Sequence, residues 1–282
     1  GLLAEARPQG VLVSSDSNPE EVGLVAAAAS LHIPTVFVSH AYTTPVSPPL
    51  DFALSILEGE AAVAAHARKG PVRGSVFLSG VAGPSRPMDA SRLRRSEPVI
   101  GIFAPKVVVW SGLRAIIEDC RERFHAREIV IRWHPSSLGK PRLAALLEDV
   151  SGIVETPASA TLLEVAERCD WVIADSGSNV NLEVLKLGIP TVAVRELGTL
   201  DEGQVDQYGF VGNGVLFPPV TTVRDLSVED AVGFYSTGWA ARFRRYDASY
   251  LRDGEAVSNG LASAIRAILE GRLPARTDVA LV

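Results

Sequence analysis

The chain has 282 residues, enough for one large or two ordinary domains, and its 47% hydrophobic and 21% charged residues allow a substantial core. A net charge of −6 and a pI near 5.5 argue against a general nucleic-acid binder, which normally carries a basic surface. No apolar run approaches the length of a membrane span, the first residues carry no signal-peptide pattern, and the two cysteines, Cys120 and Cys169, give neither a disulfide framework nor metal-ligand spacing.

Strands and helices alternate along the chain. Apolar runs at Val11–Ser15, Thr35–Ser39, Ala53–Leu57 and Ser75–Ser79 predict strands, and apolar positions recurring at three and four predict helices at Glu20–Leu31 and Glu60–Lys69. The proline-containing, basic stretch from Gly83 to Pro98 reads as a linker. A second set follows: strand Val99–Ala104, helix Ser111–Phe124, strand Glu128–Trp133, helix Lys140–Leu147, strand Gly152–Glu155 and helix Ala160–Arg168. It continues with strand Trp171–Ala174, a helix carrying Val180 to Leu187, strands at Thr191–Val194 and Gly214–Phe217, and helices at Val228–Tyr235 and Gly254–Leu269. This spacing predicts an α/β protein with parallel sheets, helices on both faces and right-handed crossovers. The expected domains are 1–90, 98–250 and a C-terminal helix and tail at 251–282. The second set can supply six strands, a complete doubly wound sheet; the first offers four at most and opens on Gly1, so the N-terminal domain is expected to lack a segment.

The most informative stretch runs from Trp171 to Val194. A buried strand ends at Asp175, small polar residues Ser176, Gly177, Ser178 and Asn179 follow, and a helix leads to the stop at Gly188 and Pro190. A helix start of this kind presents free N–H groups to an anion, Ser176 and Ser178 add hydroxyl donors, and Glu183 lies within reach of a ribose. The unit predicts a phosphate-and-sugar cradle.

A second motif, Ile129-Val-Ile-Arg-Trp-His-Pro-Ser-Ser137, delivers Arg132 and His134 to a strand's carboxyl end, where open parallel sheets place ligands. Pro135 keeps His134 out of helical geometry. Strands ending near 133 and 174 belong to one sheet, so both tips are expected at one crevice. Lys106, after the strand Gly101-Ile-Phe-Ala-Pro-Lys106, is placed to reach a phosphate. Two further strand tips offer proton acceptors: His40, in Thr35-Val-Phe-Val-Ser-His-Ala-Tyr-Thr-Thr44, has an unperturbed pKa of about 6.5 suited to a general base. Asp16, in Ser14-Ser-Asp-Ser-Asn-Pro-Glu-Glu21, is the second candidate, although Asn18 and Pro19 in that stretch also serve to start a helix. GxGxxG after a strand, GxxxxGK[ST] and GxSxG are all absent. Trp239, Phe243, Tyr246 and Tyr250 form a stripe expected to be core, and arginines between them (Arg242, Arg244, Arg245) make a local basic patch.

Together these residues resemble the GT-B superfamily, which comprises glycosyltransferases with two Rossmann-like domains facing a cleft and the non-hydrolysing UDP-N-acetylglucosamine 2-epimerases. Arg132-Trp-His-Pro135 followed by Asp175-Ser-Gly-Ser178 is similar to the His-Pro and Ser motifs of bacterial sialyl-, polysialyl- and Kdo transferases and of CDP-glycerol-type polymerases. That resemblance implies that His134, Ser176 and Ser178 bind donor phosphates. Ser39-His40-Ala41 is similar to the His-Gly loop of the polymer-forming enzymes, with Ala41 replacing the Gly. Asp175-Ser-Gly-Ser-Asn-Val-Asn-Leu-Glu183 is likewise similar to the epimerase motif Asp-Ser-Gly-Gly-x-x-Glu-Glu. However, Ser39 stands where the epimerase loop is acidic, and Ala104-Pro-Lys-Val-Val108 replaces a His-Arg-x-Glu-Asn signature. The resemblance therefore implies an inverting, metal-independent glycosyltransferase, with an epimerase or a catalytically inactive nucleotide-sugar-binding subunit as the alternatives. Its donor site would comprise Lys106, Arg132, His134, Ser176, Gly177, Ser178, Asn179 and Glu183, with His40 or Asp16 as base. No cofactor is expected beyond the nucleotide-activated sugar, which would serve as substrate, and no metal. The acceptor would be a glycan or small-molecule hydroxyl, with no nucleic-acid partner. The expected location is cytoplasmic, with peripheral contact at the inner membrane face and a homodimer left open.

Overall fold

The computed structural model describes residues 2–15, 18–39, 43–44, 47–137, 152–199, 206–272 and 280–281. Two compact units form, Gly1–Gly83 with Phe243–Val282, and Pro84–Arg242. Each is built on an all-parallel five-stranded sheet, the α/β architecture that the alternation predicts.

In the first unit, strands β1 (Val11–Val13), β2 (Thr35–Val38), β3 (Asp51–Leu57) and β4 (Arg73–Leu78) lie side by side in chain order. Adjacent residues face opposite ways, as strand geometry requires. Phe37 joins a core with Val11, Val13, Ala28 and Phe52, beneath helices α2 (Pro19–Ser30) and α3 (Glu60–Ala67), while Val36 joins Leu54 and Ile56 on the other face. A short helix, α1 (Leu2–Ala6), precedes β1. Asn18 occupies the N-cap of α2 without a side-chain cap bond; the start is fixed instead by Pro19 and by the Ser15 N–H donating to Glu21 Oε2 at 2.5 Å.

The second face of this sheet is closed by the end of the chain. The helix at Gly254–Leu269 sets Ala264 and Ile268 against Val36, Ala53, Leu54 and Ile56, and Ala280–Leu281 pairs with Ser75–Val76 as the fifth strand. The segment expected as a separate helix and tail at 251–282 thus completes the first unit's fold. Two junctions just ahead of it tie it in: Asp247 Oδ1 accepts from the N–H groups of Val81 (3.1 Å) and Ser249 (2.9 Å), and Ala248 N–H donates to the Glu58 carbonyl at 2.8 Å. Trp239, Phe243, Tyr246 and Tyr250 are all buried, as the stripe predicted. Of the basic patch, Arg242 donates to the carbonyls of Gly214, Phe234 and Thr237, and Arg245 pairs with Glu60, so both arginines are engaged within the chain.

In the second unit the sheet runs β7-β6-β5-β8-β9, with β5 (Val99–Phe103), β6 (Glu128–Arg132), β7 (Ile153–Glu155), β8 (Trp171–Ala174) and β9 (Thr191–Ala193). Every residue of β5 and β8 is buried, the near-continuous apolar pattern of strands covered on both faces. The chain leaves β5 toward β6 and β7, then returns to place β8 on the opposite side, so a topological switch point lies between β5 and β8. Helix α4 (Trp110–Glu122) packs by Leu113, Ile116 and Ile117, and α5 (Leu162–Arg168) begins in a capping box between Thr161 and Glu164. The helix expected at Lys140–Leu147 lies outside the described residues.

Two expectations are corrected here. Gly214–Phe217 forms no strand: Gly214 adopts φ +66°, and the N–H groups of Val215 (2.8 Å) and Leu216 (3.1 Å) both converge on the Phe210 carbonyl, a turn that buries the two apolar side chains without a sheet partner. Among the described residues this sheet therefore has five strands rather than six. The stretch read as a linker is bonded into the second unit from Arg86 onward, where the N–H groups of Arg86 and Asp89 donate to the carbonyls of Lys186 (2.9 Å) and Gly188 (3.0 Å). Ala90 and Leu93 are buried, Arg92 donates to the Cys169 carbonyl at 3.2 Å, and Arg95 pairs with Asp170. Cys120 and Cys169 are buried, and burial pushes both thiols well above their ordinary range. Among the described residues no helix is long and apolar enough to cross a membrane.

Candidate functional site

Strand register builds the site. Phe103 pairs with Arg132 on one side and with Ala174 on the other, so β5, β6 and β8 end level. Each then releases a polar loop at the same edge: Pro105 and Lys106 after β5, His134 and Pro135 after β6, and Asp175 to Asn179 after β8. A cavity of about 460 Å³ opens there, lined by these loops together with Arg132, Leu162, Val180, Glu183 and Tyr208. That volume lies within the range of pockets that hold small ligands. The loops that follow the strand ends near 133 and 174, expected at one crevice, both line this cavity.

Lys106, Arg132, His134, Gly177, Ser178, Asn179 and Glu183 all line this cavity. Ser176 does not. It is buried, and its hydroxyl and backbone N–H both serve the Asp175 carboxylate. A Ser four residues ahead of the helix can turn either way, and here the buried acid at the strand end claims it.

The turn after β8 is tied down from within. Gly177 N–H donates to Asp175 Oδ1 at 3.2 Å and Ser178 N–H to the Asp175 carbonyl at 3.1 Å. Asn181, fully buried, donates from Nδ2 to the carbonyls of Asp175 (2.7 Å) and Ser178 (3.0 Å). The N–H groups of Val180, Asn181, Leu182 and Glu183 also find acceptors, Ser178 or Asn179, at 3.0–3.4 Å. The free N–H groups expected at the start of helix α6 (Val180–Lys186) are therefore largely consumed by tight turn bonds, because Asn179 is itself already helical (φ −61°, ψ −22°). Anion-binding capacity at this edge rests instead on side chains.

Four charged side chains share the cavity, with His134 beside them. Arg132 stacks its guanidinium 5.8 Å from the Phe103 ring centroid, and its Nε is buried without a hydrogen-bond partner. Lys106 is exposed. Burial raises the Asp175 carboxyl above its ordinary range against the opposing bonds from Gly177 and Ser176; it raises Glu183 as well, with the Arg132 charge pulling the other way. His134 accepts the Ser136 N–H at Nδ1 (3.1 Å). In the neutral ring this places the proton on Nε2, leaving that nitrogen as a donor.

Asp175 and Tyr208 were not singled out from sequence. The signal for Asp175 was its place as the first polar residue after a fully apolar strand; Gly198 confirms how closely it is packed, since a Cβ there would lie 2.4 Å from Asp175 Oδ2. Tyr208 had no motif to mark it, and reaches the cavity through a turn in which Gln207 Nε2 donates to the Gly177 carbonyl at 3.2 Å.

The two proposed bases, His40 and Asp16, lie outside the described residues. Thr43, which is described, donates its N–H to Glu58 Oε1 at 2.7 Å and its hydroxyl to the same carboxylate. Glu58 is buried just past the end of β3, and burial raises its carboxyl above the ordinary range despite the Thr43 bonds and the nearby His66.

No protein-family model matches the sequence, and no curated protein matches it significantly. Solved structures do. A protein from Listeria monocytogenes, provisionally described as a UDP-N-acetylglucosamine 2-epimerase, is similar over 100% of this chain and 78% of its own, at 13% identity and a TM-score of 0.54. S. aureus MnaA, solved with UDP, is similar over 95% and 78% at 14% identity and a TM-score of 0.52. The UDP-N-acetylglucosamine 2-epimerase of Rickettsia bellii is similar over 96% and 76% at 15% identity and a TM-score of 0.51. At these identities the likeness is one of fold, and that fold is of the GT-B type.

Proposed function

We propose that the chain is a glycosyltransferase, which holds a nucleotide-activated sugar in the cavity of its second unit and moves the sugar to a hydroxyl acceptor. The observation that carries this reading is the meeting of Lys106, Arg132, His134, the 177–179 turn and Glu183 in one cavity at the sheet's switch point. Lys106 and Arg132 offset the charge of a diphosphate, and hydrogen bonds to charged groups of this kind contribute about 1.5–3 kcal/mol each. His134 donates from Nε2 to a phosphate oxygen. Glu183 accepts from ribose hydroxyls.

In the transfer, the acceptor oxygen attacks the anomeric carbon from the face opposite the leaving group, inverting it. The bond from that carbon to the phosphate oxygen breaks, and its electron pair leaves on the nucleotide, where Arg132, Lys106 and His134 stabilise it. The acceptor proton passes to His40, with Asp16 as the second candidate. Side-chain cations fill the role that a divalent ion has where paired carboxylates recruit one, and the sequence has no DxD pair.

Epimerisation is the second reading, favoured by the fold shared with the Listeria monocytogenes and Rickettsia bellii structures described as 2-epimerases and by the Asp175–Glu183 motif. It ranks lower because Ser39 stands where the epimerase loop carries an acid and Ala104-Pro-Lys-Val-Val108 replaces the His-Arg-x-Glu-Asn signature, groups that the elimination chemistry needs. Thermal-shift titration with UDP, CDP and CMP tests the shared premise, since a ligand that binds the folded chain raises its melting temperature by mass action. No stabilisation by any nucleotide refutes both readings. With a binding nucleotide in hand, release of that nucleotide from its sugar only when an acceptor is present supports transfer; NMR detection of sugar interconversion without acceptor supports epimerisation. Binding without turnover supports an inactive subunit.

A further inference from the structure

We infer that Tyr208 makes this cavity select a nucleoside over a bare polyphosphate, by giving the nucleobase a ring to stack on. The inference rests on the proposed function and adds the residue that reads the uncharged end of the ligand. Lys106 and Arg132 recognise charge, and inorganic pyrophosphate satisfies them as well as a nucleoside diphosphate does. Discrimination must come from the rest of the wall. Its apolar part is aliphatic at Pro105, Pro135, Leu162 and Val180, and Tyr208 adds a phenol ring, while the His134 imidazole is assigned to the phosphate.

The ring is held in place before any ligand arrives. Tyr208 lies 5.4 Å from the buried Phe210 ring at an interplanar angle of 31°, and its neighbour Gln207 is bonded to the Gly177 carbonyl of the turn that lines the same cavity. Downstream, both carboxylate oxygens of Asp206 cap the loop, accepting from the N–H groups of Val211 (2.9 Å) and Gly212 (2.8 Å). A side chain with few rotatable bonds on a loop bonded at both ends loses little freedom when a ligand binds. Every nucleobase presents a π-face, so stacking of this kind separates nucleosides from phosphate without choosing among bases.

The test titrates the full chain with UDP, CDP and inorganic pyrophosphate by calorimetry, for the unaltered protein, Tyr208→Ala and Tyr208→Phe. Tyr208→Ala should weaken the nucleoside diphosphates about 5- to 150-fold, the range that base–aromatic stacking supplies, and leave pyrophosphate within about twofold. Tyr208→Phe keeps the ring and should bind all three within about threefold of the unaltered chain, with an unchanged melting temperature that rules out misfolding. Equal losses for nucleotide and pyrophosphate in Tyr208→Ala, or no loss for either, overturn the inference while leaving the donor cavity standing. A loss seen with UDP-sugars but absent with UDP moves the ring from base to sugar and overturns it too. If the unaltered chain binds no nucleotide at all, the proposed function falls, and this inference with it.

Discussion

His134 offers a perturbation that separates two jobs performed by one imidazole. Its Nδ1 accepts the Ser136 N–H at 3.1 Å, a bond on an exposed loop whose loss water largely repairs. Its Nε2–H is the proposed donor to a phosphate oxygen. His134→Asn retains an acceptor one bond beyond Cγ, where Nδ1 sits, and removes the distal donor. A hydrogen bond to a charged group contributes about 1.5–3 kcal/mol, which corresponds to about a 10- to 150-fold change in affinity. His134→Asn should therefore weaken nucleotide binding by that factor with a melting temperature within about 1 °C of the unaltered chain, because the loop bond survives. His134→Gln carries an amide N–H at a reach close to that of Nε2 and should recover part of the loss. Calorimetric titration with UDP or CDP, paired with thermal melting of the ligand-free variants, reads both effects. Unchanged affinity in His134→Asn removes this residue from the phosphate contact and leaves its loop bond as its whole role.

Glu58 should mark the pH dependence of the first unit. Burial raises its carboxyl in the folded chain, so below the ordinary carboxylate range it is neutral in both states, and as pH rises through the raised value stability is lost because the folded state resists ionisation that the unfolded chain allows. Glu58→Gln keeps an acceptor for the Thr43 N–H and cannot ionise. Its melting temperature relative to the unaltered protein should climb from pH 4 to pH 8, and a difference that stays flat across that range refutes the assignment. Gly198→Ala should cost about 1–3 kcal/mol, since a Cβ would sit 2.4 Å from Asp175 Oδ2 and the acid is packed at the end of a fully buried strand. It should also reduce stabilisation by nucleotide, as Asp175 holds the turn that lines the cavity; a variant with native melting temperature and native nucleotide response contradicts that packing argument.

Much of this protein is legible in the order of its residues. The apolar run Trp171–Ala174, the small polar turn and the stop at Gly188 specify strand, turn and helix through local rules of burial, backbone freedom and capping, and the structure reproduces them within a residue or two. Repetition of that pattern specifies parallel sheets, because a short strand followed by a covering helix returns to the same edge. The grouping of Arg132, His134 and the 177–179 turn was likewise inferable, since each ends a strand of one sheet. What the sequence leaves open is which distant segments meet. Periodicity reports that Ala264 and Ile268 need an apolar partner, and only the folded chain assigns that partner to Val36 and Leu54 in the first unit. Val215 and Leu216 needed burial, and a single carbonyl at Phe210 decided that they obtain it in a turn. Ser176 was drawn away from the cavity by the Asp175 carboxylate, the helix-start N–H groups were taken up by the Ser178 hydroxyl and neighbouring carbonyls, and Tyr208 arrived through a bond between Gln207 and Gly177. Each of these outcomes turns on competition for a hydrogen-bond partner at about 3 Å, a contest between groups far apart or differently oriented that no local pattern records.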